Sequence, residues 1–288
     1  MRDPRHNIKT GGSDWGADYL GEPDRLPSSS RSLISRLLRL MATEPAFSRA
    51  RRQMLDALAL TVGSRVLEAG SGTGSALPDL IPLVGQRGQI VGVDAAAGFA
   101  AEAQSRAETA GWSRVAYVHG DVRSLPFSDD GFDAAFCDKL LLHVGPASRI
   151  VAELRRVVRP GGRIGVLEWQ PQLAISTSAP ELEETFNAVL RQASHWPAAG
   201  PNLGRLFLEA GLEEVASRSY LAEAQSLADH PFWPAFLIDQ LALFVALGLL
   251  ADQTARTLAA DLRAIDQAGG FRAGLMIWTV VGTKPAGL

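Results

Sequence analysis

An apolar run gives way to a turn built on alternating glycines: Val66 to Gly74 read V-L-E-A-G-S-G-T-G. Glycine at 70, 72 and 74 removes the Cβ at alternate positions of the connection between a strand and the helix after it, so backbone N–H groups can closely approach a ligand. A second apolar run, V-G-V-D, closes at Asp94, twenty residues after Gly74. An acid at about that distance sits where a ribose hydroxyl would be bound. The two runs therefore demand a strand-turn-helix-strand unit and point to a nucleotide-like cofactor. The dinucleotide fingerprint G-x-G-x-x-G would place its third glycine at 75, where the chain has Ser75. Glu68, an acid inside the first strand, is equally unlike a NAD site.

The rest of the chain continues the alternation. Helices are expected at about 31–42 and 46–60, then strands at 65–69, 89–93, 115–119, 132–137 and 163–168, with helices near 74–84, 96–110 and 147–158 between them. Such alternation builds a parallel sheet with helices on both faces. A helix near 201–210 leads to a strand at 212–220, and Leu275 to Gly282 reads as the last strand. Residues 1–30 are polar and rich in Gly, Pro and Ser, and read as loop or partly disordered. About fifty residues, 222–271, separate the last two strands, too many for a hairpin loop, and Leu237, Leu241 and Phe244 repeat at helical spacing there.

Five ordered blocks carry a family resemblance: E-A-G-S-G-T-G at 68–74, V-D at 93–94, H-G-D-V at 119–122, L-P-F-S-D-D-G-F-D at 125–133 and L-R-R-V-V-R-P-G-G-R at 154–163. Over roughly residues 45–220 the chain resembles the class I S-adenosylmethionine (SAM) dependent methyltransferases, in the small-molecule branch that includes the ubiquinone/menaquinone C-methyltransferases. The resemblance implies a Rossmann-like α/β fold with a seven-stranded, mostly parallel sheet and an antiparallel last strand. It divides the chain into an N-terminal segment and cap helix (1–45), a SAM-binding core (46–221), a helical insert that could act as a lid (222–271) and the last strand (272–288). It also implies SAM as cofactor, S-adenosylhomocysteine as product, and a small organic acceptor methylated at O, N or C.

The resemblance assigns residues as well. Glu68 and the backbone of Gly70, Ser71, Gly72 and Gly74 would hold the aminoacyl part of SAM; Asp94, beside Ala95, would take the ribose hydroxyls. Asp121 would accept from the adenine amine while the Val122 backbone reaches the ring, and Cys137 ends the neighbouring strand. A carboxylate suits paired hydroxyl or N–H donors. His143, just past the fourth strand, stands where a general base would sit, with Asp138 and His195 as weaker candidates. Asp133, in D-G-F-D, is read as a structural residue of the strand entry. Trp15, Tyr19, His195 and Trp233 are the substrate-binding candidates, and Phe232 and Phe236 are read beside Trp233 as lining an acceptor pocket. With weight equal to that pocket reading, the insert is instead read as packing on the sheet or forming a homodimer face. A SAM-fold cyclase or non-methylating binder stays open, with an NAD-dependent oxidoreductase behind it.

Composition narrows the field. A net charge of -3 and a pI near 6.0 give no global attraction to nucleic acid. The C-D-K-L-L that ends the fourth strand is unlike the Asn-Pro-Pro-Tyr tetrad of DNA and protein amine methylators. The single cysteine, Cys137, excludes an internal disulfide and a cysteine metal cluster. No membrane span is expected, since Asp239 and Gln240 interrupt the most apolar stretch, Pro234 to Leu250. With no apolar signal near Arg2, Asp3, Arg5 and Lys9, a cytoplasmic address is expected. Arg31, Arg36, Arg39, Arg49, Arg51 and Arg52 are read as the solvated face of two helices.

Overall fold

The computed structural model describes Asp24 and residues 26–286. Two helices come first, α1 (Ser28–Thr43) and α2 (Pro45–Ala57). Glu44 sets their junction: its Oε2 accepts from the N–H groups of Ala46 and Phe47 at 2.8 and 3.0 Å, and Pro45 occupies the first turn of α2, where a missing N–H costs nothing.

The core follows as β1 (Arg65–Ala69), α3 (Leu77–Val84), β2 (Gln89–Asp94), α4 (Ala97–Thr109), β3 (Val115–His119), β4 (Phe132–Asp138), α5 (Ala147–Val157) and β5 (Val158–Ile175). After it come α6 (Pro180–Gln192), α7 (Ala199–Glu209), β6 (Glu213–Ala224), the helical insert and β7 (Ala273–Thr283). The seven strands order as β3-β2-β1-β4-β5-β7-β6. The first five pair in parallel, and β7 lies antiparallel between β5 and β6.

Period-two alternation sends side chains to two cores. Val66, Ala134 and Phe136 join the core under α2, α6 and the insert, while Leu67, Ala135 and Cys137 join the core under α5 and α7. The sheet is thus covered on both faces, which is why its strands read as continuous apolar runs.

The insert begins with the single helical turn α8 (Phe232–Pro234), passes through a π turn at Ala235–Asp239 and continues as α9 (Gln240–Ala246); α10 (Asp252–Gln267) returns to β7. Phe232 stacks on Phe236 at 5.0 Å, and Phe47 of α2 meets Phe232 edge-on at 5.8 Å. Among the described residues no helix is long and apolar enough to cross a membrane.

Candidate functional site

The carboxyl ends of β1, β2, β3 and β4 converge on one crevice, delivering Glu68, Asp94, the segment after His119, and Asp138. The chain runs from β1 outward to β2 on one side and from β4 to β5 on the other, so the crevice lies where the strand order reverses.

Gly70, Gly72 and Gly74 all adopt left-handed backbone, with φ of 71°, 50° and 71°. Space forbids side chains here too: a Cβ on Gly70 would lie 2.6 Å from Leu140 Cδ1, and one on Gly74 2.6 Å from the Tyr117 hydroxyl. The turn is tied down from three directions. Val93 carbonyl accepts from the N–H groups of Gly70 and Ser71, Arg106 of α4 donates to the Thr73 carbonyl at 2.8 Å, and Asp94 accepts from Gly72 at 2.7 Å. The other Asp94 oxygen accepts from Ala96 at 2.8 Å. Burial raises the Asp94 pKa while these two N–H groups pull it back. Each oxygen keeps a lone pair for a ligand diol. Ala95 is exposed beside it, the Ser71 hydroxyl is buried without a partner, and Val122 is buried. Asp121 is exposed, and its carboxylate accepts from the Arg123 backbone N–H and side chain, whose hydrogen bonds lower its pKa.

Cys137 differs from expectation as a cofactor-binding side chain. Its thiol is fully buried among core residues, and burial, with Glu168 and Asp138 nearby, holds its pKa well above the usual range. Asp133 is structural as expected, accepting from the Arg65 N–H and the Arg159 side chain.

A buried ionic chain runs beneath the crevice. Arg51 belongs to it rather than to the solvated arginine face, which Arg36, Arg39, Arg49 and Arg52 do form. Only 4% exposed, Arg51 donates to Asp79 at 2.8 Å and to the Ala42 carbonyl at 3.1 Å, and lies 3.6 Å from Asp138. Lys139 is the other partner of Asp138. Glu68 sits nearby, its Oε2 unpartnered; burial first, then Asp138, push its pKa up to about 8, against the pull of Arg51 and Lys139. Glu168 on β5, pushed by burial to about 8, accepts from Leu141 at 2.5 Å and so pins the turn after β4. None of this was readable from local sequence, because Arg51, Asp79 and Asp138 meet only through tertiary packing.

A narrow apolar cleft opens alongside, between α1, the turn after β4, β5 and the insert. Ile34, Met41, Trp169, Phe232 and Phe236 supply apolar wall; Lys139, His143 and Gln240 supply its polar points. His143 is 6% exposed, and burial, reinforced by His195 and Lys139, lowers its pKa to about 3, so it is a neutral imidazole. Exposed His195 donates its N–H to the Leu142 carbonyl at 2.7 Å and lies near His143, off the cleft wall. Trp233 corrects the expectation for the pocket: 1% exposed, it packs edge-on against Phe232 within the core while Phe232 and Phe236 face the cleft. Trp15 and Tyr19 lie outside the described residues.

A family profile described as a methyltransferase domain matches residues 66–162, from β1 into β5. The chain carries a methyltransferase domain. Over 119 residues, 41% of this chain and 46% of the relative, the sequence is 39% identical to a demethylmenaquinone methyltransferase of Beutenbergia cavernae. The chain spans about half the length of curated relatives it matches, 50% and 46% for two of them. Among solved structures, the YcgJ protein of Bacillus subtilis superposes with a TM-score of 0.60 at 21% identity, covering 83% of this chain and all (100%) of that one. The cyclase SpnF gives a TM-score of 0.55 at 23% identity, with 83% and 81% covered. At these identities the likeness is one of fold. The methyltransferase domain thus contributes the glycine turn, Asp94 and the turn after β4, while α1 and the insert, outside the matched span, complete the cleft.

Proposed function

We propose that this protein transfers the methyl group of SAM to a small organic acceptor held in the apolar cleft. One observation carries the reading: a glycine turn anchored by Asp94, with the unpartnered Glu68 carboxyl beneath it, lies at the same strand ends as a cleft lined by Trp169, Phe232 and Phe236. The orphaned oxygen of Glu68 and the glycine turn fit an amino-acid-bearing nucleoside: Glu68 would answer an ammonium, Asp94 a ribose diol, and the Val122 backbone an adenine edge.

When bound, SAM supplies a methyl group already activated on a sulfonium. The protein's share is to hold the acceptor close, aligned and dry. The aromatic wall excludes water and orients a flat apolar body. His143, with a pKa near 3, is a poor proton acceptor, so the acceptor enters ionised or reacts through carbon rather than losing a proton to this imidazole.

Calorimetry with SAM, S-adenosylhomocysteine and NAD, followed by transfer of a labelled methyl to an aromatic and polyketide panel, tests the proposal. Micromolar SAM binding with label appearing in an acceptor supports it. Binding without any transfer favours a cyclase or a non-methylating binder, and preference for NAD overturns it.

A further inference from the structure

Among the described residues lining the cleft, Lys139 is the one cation. We propose that Lys139, assisted by Gln240, binds an anionic oxygen on an apolar aromatic acceptor, so that this cleft selects a carboxylate or an ionised phenol or enol over a neutral ring. This rests on the cleft being the acceptor site.

Three independent features converge. Lys139 has φ of 62°, a conformation uncommon for a residue with a Cβ, and is locked there by its N–H bond to the Leu167 carbonyl at 2.8 Å. Its side chain is only 7% exposed, an expensive place for an ammonium unless its charge is used. Asp138 answers part of that charge, but Asp138 is shared with Arg51, and an ammonium carries three donors.

Gln240 is the second feature. From α9 it faces the same cleft, 5% exposed, with its Oε1 buried and unpartnered. A buried carbonyl oxygen without a partner among the described residues is costly; exchanging the amide's oxygen and nitrogen, which have nearly the same shape, puts an N–H₂ donor at that position for an anionic oxygen.

Charge balance is the third. Arg51 and Lys139 stand against Asp79 and Asp138, while Glu68 and Glu168, raised to about 8, are mostly protonated near neutrality. Within this ionic chain the charges balance, and the sulfonium of the cofactor would add a positive one. Apart from neutral His143, the other walls, Trp169, Phe232 and Phe236 among them, are mainly apolar.

The test uses protein saturated with S-adenosylhomocysteine and calorimetric titration of 2-naphthoate, 2,4-dinitro-1-naphtholate and the neutral 2-naphthamide. Failure of S-adenosylhomocysteine to bind would strike the cofactor reading instead. Wild type should prefer at least one anion over the amide by about tenfold or more, and which anion wins names the oxygen's chemistry. Lys139→Met should bind anion and amide alike, with Lys139→Arg restoring most of the preference, each variant being titrated at saturating S-adenosylhomocysteine so that any change in cofactor affinity does not enter the comparison. Gln240→Leu should weaken the favoured anion several-fold. Equal binding of anion and amide by wild type, which needs no variant, or a preference surviving in Lys139→Met, overturns the proposal.

Discussion

Asp94 and Gly72 are joined side chain to backbone at 2.7 Å, so the carboxylate expected to bind ribose also clamps the glycine turn in the empty protein. Replacing Asp94 with Ala removes both the ligand's acceptor and the clamp. SAM affinity should fall about tenfold to a hundredfold, corresponding to about 1.5–3 kcal/mol. Calorimetry on Asp94→Ala and on Asp94→Asn, which keeps one acceptor oxygen, should rank the two with Asn intermediate; unchanged affinity in Asp94→Ala would remove Asp94 from the cofactor site.

Glu68 should make cofactor binding proton-linked. Its carboxyl, with a pKa near 8, is protonated in the empty site at neutral pH, and an incoming ammonium favours the carboxylate. Binding below pH 8 therefore releases up to one proton, and SAM affinity rises with pH until about 8 and then levels. The same raised pKa works against stability. Between the ordinary Glu value and about 8 the native state holds a proton the unfolded chain lacks, so this group's contribution to stability declines as pH rises through that window. Titration in buffers of different ionisation enthalpy measures the release, and Glu68→Gln should abolish it.

For His143 the expected outcome is silence. With a pKa near 3, its imidazole should remain neutral from pH 5 to 8. NMR of the ring nitrogens should show no titration there, and His143→Ala should cost turnover only a few-fold. A hundredfold loss, with an inflection near pH 6, would reinstate it as a general base.

Local spacing made the cofactor half of the site legible. Glycines at alternate positions after an apolar run, then an acid closing the next run, specify a turn and its clamp with little help from the rest of the chain. The apolar cleft was legible only in outline. Pro171 interrupts the reading of β5, which in fact runs on to Ile175 through a register shift between Trp169 and Leu173, where a missing N–H is tolerated. The helix α6 after it went unread. Phe232 and Phe236 stand at i and i+4 and share one face, which is why they, rather than Trp233, reach the cleft. Arg51 looked like its exposed neighbours because nothing nearby in sequence announces Asp79 or Asp138.

Tyr117 offers a stability test that separates structure from binding. Its hydroxyl is buried beneath Gly74 with no hydrogen-bond partner among the described residues, and burial raises its pKa. Tyr117→Phe should leave stability unchanged or improve it by about 1 kcal/mol, since an orphaned polar group is removed. Denaturant unfolding measures this; a loss above about 2 kcal/mol would mean that the hydroxyl has a partner after all.

Closure of the cleft should appear in hydrogen exchange. Because α1 and the insert supply much of its wall, bound cofactor plus acceptor should add protection over 28–43 and 232–246. Protection limited to 68–74, 94–99 and 119–123 would make the insert a fixed packing element.

The last two strands meet rung for rung at Ala224 and Ala273, so the insert leaves the sheet and re-enters it across one strand pair. Its length and composition are then decoupled from the pairing of the other strands, and the glycine turn and Asp94 lie on a different part of the sheet. The glycine turn with Asp94 and the cleft-facing excursion are thus carried by separate strand pairs of one sheet.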